Sequence, residues 1–195
     1  VNATDVDETD LMEYLDNNRK TDVICLYVEG LKDGRRFMKA AGKIKTPVVV
    51  LKGGKTKAGS KSAKTHTGSL AGNAKIYSGA FRQSGIIEAD DLEEMFDIAR
   101  AISNQPKPKG KRVRIITDAG GFGVLTSDWV EKTGLKISSV SGKSKKKLEK
   151  LVPPHATLGN IIDLTGDATS GMYEACYKDA VLDKNVDMIA LILLF

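Results

Sequence analysis

Residues 47–51 read Pro-Val-Val-Val-Leu, apolar throughout and β-branched at the centre. A strand with one wet face alternates apolar and polar residues. A run that is apolar on both faces has to be covered on both, as a parallel strand is when helices pack on either side of its sheet. Similar short runs recur at Val23–Val28, Val113–Thr117, Leu135–Val140, Ile161–Leu164 and Met188–Phe195. Between them lie helical patterns at Gly34–Ala41, in a segment ending near Ser84 with Gly85 as its stop, and at Gly123–Thr133, Gly142–Leu151 and Ser170–Lys184. Asp90, with Glu93 three residues on, predicts a further helix start. Its stripe of Leu92, Met95, Phe96, Ala99 and Ile102 has helical spacing. Residues 53–72, GGKTKAGSKSAKTHTGSLAG, are small, glycine-rich and basic, and most of them are expected to be loop.

The segment SNQPKPKG, residues 103–110, carries two prolines and no other apolar side chain. It divides the alternation into a first domain at 1–103, a linker at 104–110 and a second domain at 111–195. The fold class expected is α/β, with two doubly wound parallel-sheet domains. The first has few strands, and the chain stops inside the apolar run IALILLF, so both are expected to be incomplete.

With 195 residues, 41% of them hydrophobic, the chain can bury real cores. A net charge of +5 admits nucleic acid, anionic lipid or phosphorylated small molecules as partners. The positive charge concentrates in Lys52–Lys64 and Lys143–Lys150, with no aromatic residue interleaved, so base stacking has no support and most of these lysines are expected on solvated faces. Cys25 and Cys176 are far apart and form neither a disulfide framework nor a metal-ligand spacing. Cys25, inside an apolar run, is expected to be a core thiol. No stretch approaches the roughly 20 apolar residues of a membrane helix, and no signal peptide is recognisable. The expectation is a cytoplasmic protein with neither a membrane nor a nucleic-acid partner.

Two phosphate-loop patterns fail on register. Gly54 and Gly59 have the separation of a P-loop, but Ser60 stands where its lysine belongs. Gly121 and Gly123 fit the start of a dinucleotide turn, but Thr126 replaces its third glycine and no acid ends the next strand. Gly120, Gly121 and Gly123 still open a helix whose first amides can face an anion, or else serve only a tight turn.

Of the two histidines, His155 sits in a proline-bounded turn, PPHATLGN, which fits a structural role. His66 lies in KTHTGSLAG, where small neighbours leave an imidazole accessible and helix-start amides and lysines can hold phosphate. Glu29 ends the strand VICLYV, at the carboxyl edge where open α/β sheets place ligands. It is either a polar edge residue or the group that accepts one ring N–H of a histidine and leaves the other nitrogen free to attack.

At these residues the chain resembles a known family. YVEGLKDGRRFMKAA, KTPVVVLKGGKTKAGSKSAKTHTGSLAG and DDLEEMFDIARAI are similar to the phosphohistidine domain of ADP-forming acetyl-CoA (acyl-CoA) synthetases, in the succinyl-CoA synthetase superfamily. KGKRVRIITDAGGFGVLTSDWVEKTGLKI and LVPPHATLGNIIDLTGDA resemble the adjoining ligase domain. The resemblance implies flavodoxin-like domains and an acid–CoA ligase (ADP-forming). Such an enzyme couples thioester cleavage to ATP formation through an acyl phosphate and a phosphohistidine. It implies His66 as the phosphate carrier, Glu29 as its orienting glutamate, and Gly68, Ser69, Gly120, Gly121 and Gly123 as phosphate-binding residues, with no protein-held metal. Asp118 and Phe122 depart from the family, where Asn and Pro are commoner, and an anion at Asp118 could weaken phosphate binding.

The same resemblance implies a CoA-binding domain and an ATP-grasp domain or subunit as partners, in an oligomer. ATP or ADP, Mg²⁺ and CoA are expected in the complete enzyme, and none is expected to be bound tightly here. The segment alone is not expected to catalyse the full reaction. A second reading, a ligand-sensing module fused to a protein acetyltransferase, uses the same domains without needing the nucleophile.

Overall fold

The computed structural model describes residues 5–67 and 72–194. It resolves into two compact units, Val1–Lys107 and Pro108–Phe195. Both are mixed α/β, the first with an all-parallel sheet and the second with a mainly parallel one.

In the first unit, helix α1 (Glu8–Asp16) precedes strand β1 (Ile24–Val28), helix α2 (Gly34–Ala41) and strand β2 (Val48–Lys52). Helices α3 (Lys57–Thr67) and α4 (Ala74–Gln83), strand β3 (Ile87–Ala89) and helix α5 (Leu92–Asn104) follow. The sheet order is β1-β2-β3, parallel throughout, with Ile24 beside Val48 and Val28 beside Lys52. The central strand explains the layering. Val48 and Val50 face a cluster with Met12, Phe37 and Phe81, whereas Val49 and Leu51 face Ala89 and Met95. Both faces of the run Val-Val-Val-Leu are therefore covered.

α1 begins at a capping box in which Asp7 and Asp10 satisfy each other's backbone amides. Arg36 of α2 pairs with both carboxylates and joins the two helices. Neither α1 nor β3 was foreseen, since α1 has a weak apolar stripe and β3 is only three residues long.

Several expectations need correction. Residues 57–67 are helix, not loop. Thr56 starts it, its Oγ1 accepting from the Gly59 amide at 3.1 Å. Cys25 is exposed, because a residue on the outward face of β1, an edge strand, need not face the core. The α5 cap is Asp91, which accepts from the Glu94 amide, so the helix starts later than Asp90 and does not use Glu93 for a box. Of its expected stripe, Met95 and Ala99 are buried, but Leu92 and Phe96 are each 56% exposed. The α4 stop is as expected, with Gly85 at φ +75°.

In the second unit, strand β4 (Arg112–Thr117) is followed by helix α6 (Gly120–Lys132), strand β5 (Lys136–Ile137) and helix α7 (Gly142–Leu148). A short pair, β6 (Thr157–Leu158) and β7 (Ile161–Asp163), leads to helix α8 (Ser170–Leu182) and strand β8 (Met188–Ile192). β4 is the hub. It pairs in parallel with β5 at its start, with β7 at its end and with β8 along Val113–Thr117.

β6 runs antiparallel to β7, a departure from an all-parallel sheet made by a tight reversal at Gly159–Asn160. The strand expected over Leu135–Val140 keeps only two paired residues, because β7 takes over pairing with β4 from Ile115 onward. α7 stops at Leu148, three residues short of the expected end, and α6 starts at Gly120 rather than Gly123.

The core clusters Ile116, Leu148, Leu158, Ile162, Leu164 and Cys176 on one side and Val113, Ile115 and Val130 on the other. Arg114 is fully buried within β4. Its guanidinium donates to the Ser138 carbonyl at 2.7 Å and to Asp183 at 3.0 Å. His155, exposed in its turn, lies 3.1 Å from Asp167.

Candidate functional site

In the first unit the residues just after β1 and β2 build the carboxyl edge of the sheet. Glu29 comes directly after the last paired residue of β1. Tyr27, two residues earlier and so on the same side of the strand, donates its hydroxyl to Glu29 Oε1 at 3.2 Å. Burial pushes the Tyr27 phenol above its ordinary range, with the charge of Glu29 adding to the shift. Gly53 makes room for this pair, since a Cβ there would stand 2.6 Å from the Tyr27 hydroxyl. Its amide donates to the Val28 carbonyl at 2.9 Å and continues the ladder one step past the strands.

Lys52 ends β2 and is 3% exposed, an exception among lysines expected mostly on solvated faces. Its ammonium donates to the Glu29 carbonyl at 2.7 Å and to the Gly53 carbonyl, and lies 4.7 Å from the centroid of the Tyr77 ring. Tyr77 in turn accepts from the Leu31 amide at 3.1 Å. Sequence reasoning missed Lys52 and Tyr27. The available signal was a lone cation closing an otherwise apolar strand directly before two glycines.

His66 belongs by its backbone to the last turn of α3. Its side chain lies outside the described residues, as do Gly68 and Ser69. The helix macrodipole at that end favours a cation over an anion. A phosphoryl group carried there would need positive charge from elsewhere.

In the second unit the start of α6 is set by β4. Thr117 Oγ1 accepts from the Ala119 amide at 2.9 Å and donates to the Ala119 carbonyl at 3.1 Å, which turns the chain into the helix. Ala119 gives no side-chain cap, and the first helical bond is made by the Gly123 amide. Three amides, those of Gly120, Gly121 and Phe122, precede that bond.

The three glycines serve different ends. A Cβ at Gly120 would stand 2.4 Å from Asp163 Oδ2, and one at Gly123 would stand 2.9 Å from Ile161 Cγ2. Gly121 has open space. None of the three has a positive φ. Asp163, at the end of β7, thus brings a carboxylate against the helix start, a neighbour that sequence reasoning did not anticipate. Asp118 is engaged by the backbone, both its oxygens accepting from the Leu194 amide at 3.1 and 3.2 Å. Phe122, Leu125 and Trp129, spaced i, i+3 and i+7 along α6, are 51%, 58% and 65% exposed; the helix packs through Gly123 and Val130.

Among the described residues no group of three His, Cys, Asp or Glu side chains could hold a metal ion, and no helix is long and apolar enough to cross a membrane.

Residues 2–102 match the family described as succinyl-CoA ligase like flavodoxin domain, and residues 113–195 match the ligase-CoA domain. The chain belongs to the succinyl-CoA ligase-like flavodoxin family. Within that family it is similar to the alpha subunit of ADP-forming acetate–CoA ligase II from Pyrococcus furiosus, 46% identical over 96% of this chain and 41% of the relative. It also resembles the ADP-forming acetate–CoA ligase of Methanocaldococcus jannaschii, 44% identical over 86% of this chain and 24% of the relative.

Among solved structures, the dinucleotide forming acetyl-coenzyme A synthetase 1 of Ca. Korarchaeum cryptofilum, in complex with phosphate and ADP, superposes with a TM-score of 0.88. Its sequence is 35% identical, over 96% of this chain and 41% of that one. The chain thus spans less than half the length of these relatives.

Proposed function

We propose that this chain is the phosphohistidine-carrying part of an ADP-forming acyl-CoA synthetase, with His66 as the carrier and Glu29 as its orienting carboxylate. The observation that carries the reading is the order at the first sheet edge. A glutamate is held at the end of β1 by Tyr27, beside a buried lysine, in a unit whose family is succinyl-CoA ligase-like.

The chemistry then runs in three transfers. The acyl group passes from the CoA sulfur to a phosphate oxygen, giving acyl phosphate and free CoA. An imidazole nitrogen of His66 attacks phosphorus, the bond to the acyl oxygen breaks and the acid leaves. A terminal oxygen of ADP then attacks phosphorus, the P–N bond breaks and ATP leaves. Glu29 accepts the other ring N–H, which fixes the tautomer and stabilises the imidazolium character that develops. Such transfers depend on positioning and on charge stabilisation more than on covalent help.

Gly68 and Ser69 are proposed as phosphate ligands beside His66. Gly120, Gly121 and Gly123 are proposed as the helix start that receives the phosphoryl group, with Gly121 the one whose surroundings leave room for it. Mg²⁺ would arrive with the nucleotide. CoA-binding and ATP-grasp parts are the proposed partners, in an oligomer that works in the cytoplasm. The relatives described above are ligases and a synthetase by name, which leaves the acetyltransferase-linked sensor without support.

The test uses the complete enzyme. With ATP and Mg²⁺ it should acquire an acid-labile, base-stable phosphoryl label, and His66→Ala should abolish both label and turnover. A label undiminished in His66→Ala would refute the assignment.

A further inference from the structure

We propose that Lys52 is a positioning residue for phosphoryl transfer, its buried ammonium holding the backbone of Glu29 at the sheet edge; this rests on the reading of His66 and Glu29 given above. The argument begins with cost. Four apolar residues precede Lys52 and fill the core by packing alone. A Leu or Met in its place would continue that packing without desolvating a charge. The sheet instead buries an ammonium to 3% exposure, and its hydrogen-bond acceptors are two backbone carbonyls, those of Glu29 and Gly53.

Those carbonyls belong to the residues directly after the last register pair of the ladder, Val28 with Lys52. Beyond that point the ladder keeps one bond, from the Gly53 amide to the Val28 carbonyl, and Lys52 bridges the two segments. Glu29 is consequently held at both its backbone and its side chain, its carbonyl by Lys52 and its carboxylate by Tyr27. The face of Tyr77 on α4 supplies a further seat for the cation. Burial pushes the Lys52 ammonium below its ordinary range; Glu29 and Glu88 favour its charge and Lys55 opposes it. The groups at Lys52 therefore come from the end of β1, from α4, from β3 and from the turn after β2, and the one they share with the proposed chemistry is Glu29, directly after β1.

The complete enzyme, with Lys52→Met and Lys52→Gln, provides the test. Gln removes the charge and keeps an N–H donor, one bond closer to the backbone. Histidine labelling by ATP and Mg²⁺ is followed by rapid quench across nucleotide concentrations, with thermal melts alongside. We expect both variants to fold and the maximal labelling rate to fall about thirtyfold or more, approaching the roughly 10²-fold cost of misplacing a reacting group by 1 Å. The nucleotide concentration giving half the maximal rate should not move.

A folded variant that labels at the wild-type rate overturns the proposal, as does a loss confined to the half-saturating concentration. Failure of both variants to fold overturns it too, since Lys52 would then be a stability element. Absence of histidine label in the wild type would instead remove the underlying reading, and so separates the two failures.

Discussion

The hydroxyl of Tyr27 and the carboxylate of Glu29 are 3.2 Å apart at the end of one strand, with the phenol as donor. That bond ties one carboxylate oxygen of Glu29 back to its own strand. It also limits the rotamers open to a side chain that has just left the sheet. Tyr27→Phe keeps the ring and removes the donor. We expect histidine phosphorylation in the complete enzyme to slow about tenfold, equivalent to roughly 1.4 kcal/mol in the barrier. The melting temperature should hardly change, because Tyr27 is 61% exposed. Rapid-quench labelling at the wild-type rate would show that Glu29 does not depend on this contact.

Glu29 itself should matter more. Glu29→Gln preserves the shape and removes the charge that stabilises an imidazolium. The expected loss in phosphorylation rate is about 10²-fold or greater, the scale of a positioned acid–base group. The fold should survive, since Glu29 lies beyond the last register pair of the strand. Unaltered kinetics in Glu29→Gln would take the residue out of the site.

Much of this arrangement was legible before any coordinates. The both-sided apolarity of Val48–Leu51 required a covered sheet, and the strand end placed Glu29 at its carboxyl edge. What was not legible depends on tertiary neighbours. Residues 57–67 lack an apolar stripe, so composition pointed to loop, whereas the Thr56 cap and good helix formers such as Lys and Ala make helix. Lys52 reads as one more cation in a basic run, because its acceptors are carbonyls and leave no pattern in the sequence. Asp163 is far in sequence from Gly120, which it abuts, a contact made only when β7 pairs with β4.

The anchor between β4 and β8 gives a pH test in the second unit. Asp187 accepts from Arg112 Nε at 2.8 Å and from the Arg112 amide at 2.9 Å. These bonds, the guanidinium first, bring its carboxyl down to about 2. An unfolded Asp titrates near 3.9. The folded state therefore favours the ionised form, and this contribution is fully present above about pH 4 and fades as pH falls toward 2. Asp187→Asn should lower the melting temperature at pH 5, with the gap to wild type closing as melts are taken down to pH 2. A gap constant over that range would mean that the Arg112 pair does not set acid stability.

The glycines at the start of α6 separate packing from anion binding. Gly123 abuts Ile161 and Thr117, with 2.9 and 3.2 Å to a built Cβ, so Gly123→Val overpacks the helix against the sheet. We expect a cost of about 1–3 kcal/mol in stability, visible as a lower melting temperature whatever the ligand. Gly121 has no atom within 4 Å of a built Cβ and no positive φ. Gly121→Val should be near neutral for the fold, since a valine is no worse than a glycine in a helix. Its isopropyl group would nevertheless crowd the amides of the first turn. If those amides receive the phosphoryl group, Gly121→Val in the complete enzyme slows phosphoryl transfer sharply at an unchanged melting temperature. Wild-type transfer in a folded Gly121→Val enzyme would show that this helix start serves the turn alone.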